Sequence, residues 1–198
     1  MACRYCRVRF RLAIMMREFN PDRLDVAAFA ESAGALSEAD TPTRYPRLLA
    51  ESSEPPAADS RVRWRARGVQ RTDAGATDVP WLHLTAEATL PLLCQRCLEA
   101  VETQLTVDRW FRFVADEDTA AAEDDASEED VLVASRDFDL RALIEDELLM
   151  ALPVAPRHEV CPEPVRLSVS DEGFEAAQSE RPNPFAALLR LQGDKKDT

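Results

Sequence analysis

Three segments in which apolar and polar residues alternate constrain the fold of this chain more than any other feature. Residues 61–67 alternate strictly, and residues 81–93 and 98–114 follow the same period. A period of two places alternate side chains on opposite faces of a β-strand. Turns join consecutive strands, so we predict a mainly antiparallel sheet. The predicted inward residues of the second and third strands are Leu82, Leu84, Ala86, Ala88, Leu90, Val101, Thr103, Leu105, Val107, Phe111 and Phe113.

Helix signals flank these strands. Asp139 is a capping residue for a helix over residues 140–152, the longest that the sequence predicts. Shorter helices are predicted over residues 22–33 and 184–192. Residues 37–60 contain four prolines and are predicted to be mostly connection. The predicted fold class is therefore α+β, with one long helix packed on the sheet and short helices near both termini.

The predicted organisation is a single domain with less ordered segments around it. A chain of 198 residues can bury one core of ordinary size, and we place that domain at residues 17–161. Residues 1–16 carry four Arg and no acid, and we interpret them as a non-native or disordered extension, with the natural start at Met15 or Met16. Residues 116–130 hold nine acidic side chains, which repel one another, and are predicted to be a disordered loop. Residues 162–198 are predicted to be a loose tail that carries the last helix.

The bulk composition excludes several classes of protein. A net charge of −13 argues against a chain that is basic all over, so any contact with nucleic acid must be local. No apolar run approaches the roughly 18 residues that span a bilayer, so we expect no membrane contact. Five Cys in a chain of this length do not suggest a secreted disulfide scaffold. These features predict a cytoplasmic protein.

Two short motifs have the spacing of metal half-sites. Cys94 and Cys97 are separated by two residues, and so are His158 and Cys161. Three thiolates and an imidazole suit zinc, and if the halves meet they form a structural site of the zinc-knuckle kind. Cys3 and Cys6 would be a further half-site if the N-terminal extension is native.

Two other interpretations of these motifs are open. In the first, the two Cys of the first pair are small buried residues at a strand turn, and His158 is exposed on a Pro-rich loop. In the second, the pair has a redox role. The second is less favoured, because a strand and not a helix N-terminus follows Cys97.

An arginine-rich strand is the candidate RNA surface. Alternate residues of a strand lie about 7 Å apart, close to the spacing of phosphates along one nucleic-acid strand. Guanidinium groups also bind phosphates through two parallel hydrogen bonds. The alternative is a solvated face that acids of a neighbouring strand or the acidic loop neutralise. Trp64 and Trp81 are predicted to be core residues rather than base-stacking platforms. The candidate RNA-binding residues are Arg61, Arg63, Arg65, Arg67 and Arg71.

Two further patterns bear on function. Glu145, Asp146 and Glu147 are adjacent on one predicted helix, so they point in different directions and do not form a two-metal nuclease site. We expect Glu147 to pair instead with a strand Arg. No set of nucleophile, base and orienting group is visible, so no enzyme is predicted. The last helix is too short to be stable alone and must dock on its own chain or on a partner. Its candidate partner-binding residues are Phe185, Leu188 and Leu189.

Four blocks, in this order, resemble the YceD family of large ribosomal RNA subunit accumulation proteins. They are Cys94-Gln-Arg-Cys-Leu, Phe138-Asp-Leu, Leu143-Ile-Glu-Asp-Glu-Leu-Leu-Met-Ala-Leu-Pro and Asn183-Pro-Phe-Ala-Ala-Leu. The resemblance covers about residues 20–192. Some relatives carry additional Cys where this chain has His158 and Cys161, which favours a metal site.

The resemblance implies a bacterial, cytosolic, non-catalytic factor. Such a factor supports the accumulation or processing of large-subunit ribosomal RNA. Its implied partner is ribosomal RNA or a ribosome precursor. The alternative is an adaptor that acts on an RNA-processing enzyme or a ribosomal protein without touching RNA.

Overall fold

The structure is a computed structural model that describes residues 18–72, 78–124, 126–163, 169, 171 and 173–174. The predictions for residues 1–16 and for the tail helix, with Phe185, Leu188 and Leu189, lie outside the described residues. Residues Met1–Glu159 form one compact unit and Val160–Thr198 another. All the named helices and strands belong to the first unit.

Five strands form one sheet in chain order. They are β1 (Ala35–Asp40), β2 (Val62–Thr72), β3 (Asp78–Leu93), β4 (Ala100–Val114) and β5 (Asp130–Val133). The first four strands pair antiparallel, and β5 pairs parallel with β4. The fold is therefore mixed α and β, with the mainly antiparallel sheet that the alternation predicts.

The core lies on one face of this sheet. The predicted inward residues of β3, from Leu82 to Leu90, are all 4% exposed or less. On β4 the later inward positions are buried, and Val101 and Thr103 are partly buried. The opposite side chains of β2, β3 and β4 point away from the core and form what we call the open face. Removing the apolar face from water stabilises the sheet by roughly 25 cal/mol per Å².

Three of the four described helices cover the buried face, and the fourth, in the acidic segment, lies against β5 and β4. The described helices are α1 (Val26–Glu31), α2 (Pro46–Ala50), α3 (Glu117–Asp124) and α4 (Leu140–Met150), with a 3-10 turn at Pro42–Arg44. The predicted cap of α4 is confirmed, since the Asp139 side chain accepts a hydrogen bond from the Ala142 N–H at 2.9 Å. Leu140, Ile144 and Leu148 of this helix are fully buried. Among the described residues, α4 is the longest helix, at 11 residues. A helix able to cross a bilayer is absent from the described part of the chain.

The prediction that residues 37–60 are mostly connection overlooks two elements, because this stretch holds most of β1 and all of α2. Sequence periodicity misses β1 since this six-residue edge strand is largely polar and exposed. It is ordered by pairing with β2 and by Asp40 at its end. The Asp40 carboxylate accepts hydrogen bonds from the Tyr45 hydroxyl and the Trp64 indole, both at 2.8 Å.

The acidic segment 116–130, predicted to be a disordered loop, contains α3 and the first residue of β5. Two local contacts offset the charge repulsion. Asp116 caps the helix by accepting from the Thr119 N–H at 2.8 Å, and Glu123 pairs with Arg112 of β4. Acidic side chains near a helix N-terminus also interact favourably with its dipole.

Gly68 of β2 lies where α1 approaches the sheet most closely. A Cβ at this position would come within 2.7 Å of the Phe29 carbonyl oxygen and 2.8 Å of the Ala30 Cα. We therefore expect Gly68→Ala to lower the free energy of unfolding by about 1–3 kcal/mol, since backbone atoms must move. Urea unfolding checks this. Gly173→Ala is the matched control, because its Cβ would meet no atom within 4 Å. A Gly68→Ala midpoint equal to that of the wild type would contradict the close approach.

Candidate functional site

The turn between β3 and β4 holds the first thiol pair. The Cys94 N–H donates to the Glu99 carbonyl, and the Leu98 N–H donates to the Cys94 carbonyl, both at 2.9 Å. Leu98 has a φ of 63°, in the left-handed region that side chains other than Gly rarely adopt. This tight turn brings the Cys94 and Cys97 side chains together.

Hydrogen bonds bring the segment after α4 onto this turn. The Gln95 N–H donates to the Pro156 carbonyl at 2.9 Å, and the Arg96 guanidinium donates to the His158 carbonyl at 2.8 Å. The His158 ring in turn lies against β4, with Nε2 at 3.0 Å from the Ala100 carbonyl oxygen. The two halves that sequence spacing could only suggest are therefore brought together by backbone contacts.

Side chains from both halves converge on one point. Within the first unit, the ligand atoms of Cys94, Cys97 and His158 lie within 4.8 Å of one another and could hold a metal ion. Cys161, the predicted fourth ligand, belongs to the second unit. The Nδ1 atom of His158 is 3.4 Å from the Cys97 sulfur. A carbonyl oxygen can only accept, so the contact with Ala100 assigns the proton to Nε2 and leaves the Nδ1 lone pair for a metal.

The surroundings of Cys94 favour the thiolate that metals bind. Burial raises the pKa of this thiol, and the Cys94 side chain is fully buried. Hydrogen bonds from the backbone of Cys97, His158 and Arg96, together with the His158 side chain, outweigh that effect and lower the pKa to about 5. Three sulfur donors and one imidazole nitrogen match the preference of zinc, whereas calcium and magnesium take oxygen ligands.

The arginine strand has its exposed side chains on the open face. Arg63, Arg65 and Arg67 are exposed, and none of them forms an ion pair within the described residues. Arg65 lies between Ser37 of β1 and Thr85 of β3. The register pairs Arg63 with Glu87, but no ion pair joins the two. These three guanidinium groups are therefore available to an anionic partner.

The other two predicted arginines have different surroundings. Arg61 precedes β2, and its guanidinium donates to the carbonyls of Ala58 and Ser60 at 3.1 and 2.7 Å. The Arg71 guanidinium lies 4.3 Å from the ring centre of Trp81 and 4.0 Å from that of Trp110. Cation–π contacts of this kind orient the guanidinium. The structure therefore separates Arg61 from the predicted surface and places Arg71 at its aromatic end.

The open face also carries an aromatic cluster that the sequence patterns do not predict. We define it as Arg71, Trp81, His83 and Trp110. The prediction that Trp64 is a core residue is confirmed, since it is 3% exposed. The same prediction for Trp81 is wrong, because Trp81 is partly exposed and lies outside the core cluster. Trp81, His83 and Trp110 occupy polar-face positions of their alternating strands, which is the signal that could have identified them.

Two of the three carboxylates of α4 share one arginine, and the third contacts another. Glu145 is 7% exposed and accepts from the Arg47 N–H at 2.7 Å and the Leu48 N–H at 3.2 Å, which caps α2. Asp146 pairs with the Arg47 guanidinium at 2.7 Å, and Glu147 lies 4.0 Å from that of Arg109 on β4. The predicted pairing of Glu147 with a strand arginine is thus present. Glu145 and Asp146 therefore converge on a cation, Arg47, and not on an open metal position.

Comparison with known proteins finds a matching family model and a curated relative. The family model "Large ribosomal RNA subunit accumulation protein YceD" matches residues 82–192. A curated protein of that name from Haemophilus influenzae is 35% identical over 107 residues, which cover 51% of this chain and 59% of the relative. The chain thus spans less than two thirds of that relative's length. No solved structure matches the chain. The matched region includes the thiol pair and Trp110, whereas Arg63, Arg65 and Arg67 precede it.

Proposed function

The chain belongs to the YceD family of large ribosomal RNA subunit accumulation proteins, and from this premise we propose that it acts without catalysis by binding ribosomal RNA through the open face. In this proposal the protein works in the cytoplasm on ribosomal RNA or a ribosome precursor. The open face contacts the RNA. The cluster of Cys and His side chains, with its metal ion, stabilises the end of the sheet at the β3–β4 turn.

The observation that carries the RNA proposal is the row of three arginines on β2 that form no ion pair with any residue the structure describes. Arg63, Arg65 and Arg67 project from alternate positions, at intervals of about 7 Å that suit consecutive phosphates. Pairing an exposed arginine with a phosphate costs little free energy of desolvation and adds a bidentate contact. The net charge of −13 makes the rest of the surface predominantly acidic, so phosphates are attracted to this local patch.

Replacing Arg63 and Arg65 with glutamate is expected to abolish RNA binding. Each lost phosphate contact reduces the slope of log affinity against log salt by about 0.7 for a single strand. The reversed charges add repulsion, so the loss should exceed tenfold at about 50 mM salt. Anisotropy titrations of a labelled ribosomal RNA fragment between about 50 and 200 mM salt measure both quantities.

The matched control is Arg23→Glu with Arg136→Glu, which makes the same change in net charge in the helical layer. Among the described residues Arg23 pairs with Asp137 alone, and both side chains are largely exposed, so little stability is lost. RNA affinity should stay close to that of the wild type. Equal losses in both double variants would show that overall charge, and not the open face, governs binding. An adaptor would behave differently again: it would bind a protein partner after ribonuclease treatment and show no affinity for RNA.

We further propose that Cys94, Cys97, His158 and Cys161 bind one zinc ion in a structural role. Four protein ligands fill a tetrahedral shell and leave no position for a reacting water. Within the first unit, such an ion would bind residues 156–158 to the β3–β4 turn more tightly than the hydrogen bonds alone. The His158 contact with Ala100 supports the proposal, since metal-binding His residues commonly donate their second N–H to a carbonyl.

A further inference from the structure

We infer that the aromatic cluster is a nucleobase-binding site that makes the open face selective for single-stranded over double-stranded RNA. This inference rests on the proposed function and deepens it, because it names the form of RNA that the face takes. The arginines of β2 and the cluster lie on the same face, so one strand of RNA can reach both.

Strand register places a phosphate-binding group and an aromatic ring in one row. Arg67 of β2 is directly opposite His83 of β3, and His83 is directly opposite Trp110 of β4. Adjacent strands are about 4.8 Å apart, so the row extends about 10 Å from Arg67 to Trp110. A backbone that runs along β2 would therefore place its bases over β3 and β4.

The cluster itself is preorganised. The His83 ring is stacked on Trp110 with centroids 4.4 Å apart and an interplanar angle of 17°. A contact of 2.7 Å between His83 Nε2 and the Asp108 carboxylate fixes that ring. Trp81 and Trp110 meet edge to face at 6.4 Å, with the Arg71 guanidinium over both rings. His83 and the Arg71 guanidinium cover the two faces of Trp110, so Trp110 holds these two groups in place. A base can stack on the outer planes of the cluster, on Trp81, His83 or the guanidinium, without reordering the side chains.

The distribution of charge on the open face sets the orientation of the bound strand. Arg63, Arg65 and Arg67 lie on β2, whereas Glu87 and Asp108 lie on β3 and β4. On the same face of β4 the Arg112 guanidinium is already paired with Glu123, so phosphates are attracted to the first strand more than to the other two. The aromatic rings lie on β3 and β4, the strands that carry Glu87 and Asp108, and these two acids do not repel uncharged bases. In a duplex the base faces are covered by their neighbours, so only unpaired bases can use the cluster.

The test compares two probes on the full chain: a labelled single-stranded RNA of about 16 nucleotides and the same RNA annealed to its complement. We expect the wild type to favour the single strand. Trp110→Ala should weaken single-strand binding at least about fivefold and leave duplex binding nearly unchanged, since the ring that holds His83 and Arg71 in position for stacking is lost. Trp110→Phe, which retains a ring, should keep most of the affinity. Thr106→Ala is the matched control, because Thr106 is exposed on the same strand and face but lies outside the cluster.

Tryptophan emission gives a second readout. The chain has three Trp, and Trp64 is buried in the core. Stacking of a base should quench the emission of wild-type protein, and Trp81→Phe with Trp110→Phe should remove most of the quenching. Arg71→Lys keeps the positive charge but removes the planar guanidinium. It should weaken single-strand binding without changing the slope of log affinity against log salt.

The failures of the two proposals are distinguishable. Equal or tighter duplex binding, or wild-type single-strand affinity in Trp110→Ala and Arg71→Lys, would overturn the base-binding site. The proposed function would still stand if Arg63→Glu with Arg65→Glu abolished binding in the same assay. If the wild type binds neither probe at about 50 mM salt, both proposals are wrong.

Discussion

Cys94→Ser is expected to release one zinc ion per chain and to lower the free energy of unfolding by about 4 kcal/mol or more. Isolated zinc-finger peptides gain about 10–16 kcal/mol of folding energy from the ion. The effect here should be smaller, because the sheet has its own apolar core and only the β3–β4 turn and the segment around His158 depend directly on the metal.

Elemental analysis of protein purified without a histidine tag measures the zinc, and denaturant unfolding measures the stability. Cys6→Ser is the control, since Cys6 belongs to neither half of the described cluster, and it should lose neither zinc nor stability. A chelator should reproduce the Cys94→Ser unfolding curve in the wild type. Well-folded wild-type protein that contains no zinc would contradict the metal proposal.

Arg141→Met is expected to destabilise the fold by about 3–5 kcal/mol, because it leaves a buried carboxylate without its charge partner. The Arg141 side chain is 11% exposed and that of Asp40 is 8% exposed, and their groups are paired. Arg141 also pairs with Asp22 at 2.7 Å and with Glu38 at 2.6 Å. One side chain of α4 thereby ties the chain before α1 to the edge strand.

The matched control for this prediction is Arg23→Met. The pair of Arg23 with Asp137 has the same chemistry, but the two side chains are 71% and 66% exposed. Its loss should cost less than about 1 kcal/mol. Urea unfolding of both variants makes the comparison. Similar midpoints would mean that burial does not strengthen the Arg141 contacts.

Asp40 also gives the fold a predicted acid sensitivity. Burial raises the pKa of its carboxyl, but hydrogen bonds from Trp64 and Tyr45 and the charge of Arg141 outweigh this and hold the pKa below its ordinary value of 3.8. A lowered pKa means that the stabilisation is present at neutral pH and is lost as the pH falls below that ordinary value. Asp40→Asn should flatten this acid limb of the curve of stability against pH, although the variant should be less stable throughout.

The alternating strands were predictable because each carries its burial pattern within a short window. The inner residues of β3 follow directly from a period of two. Edge strand β1 was not predictable in this way, since its order comes from pairing with β2 and from the contacts of Asp40, one of which joins it to Arg141, 101 positions away. The helix in the acidic segment likewise depends on Arg112, a residue of another element.

In the candidate sites, too, local patterns were predictable and contacts between distant residues were not. Spacing identified both halves of the Cys and His cluster, but their meeting depends on backbone contacts such as that of Gln95 with Pro156. The arginine strand was visible in sequence, whereas the different surroundings of Arg61 and Arg71 depend on the end of β2 and on Trp110. Trp81 was predicted to be a core residue because its side chain is hydrophobic, although the alternation of β3 places it on the polar face.

Ultraviolet crosslinking of the intact protein to RNA in living cells tests the central claim most directly, when both the RNA and the crosslinked peptides are identified. We predict large-subunit ribosomal RNA attached to open-face residues of β2, β3 or β4, with Trp110 prominent among them. Recovery of no ribosomal RNA, or crosslinks confined to the helical layer around α1 and α4, would contradict the account.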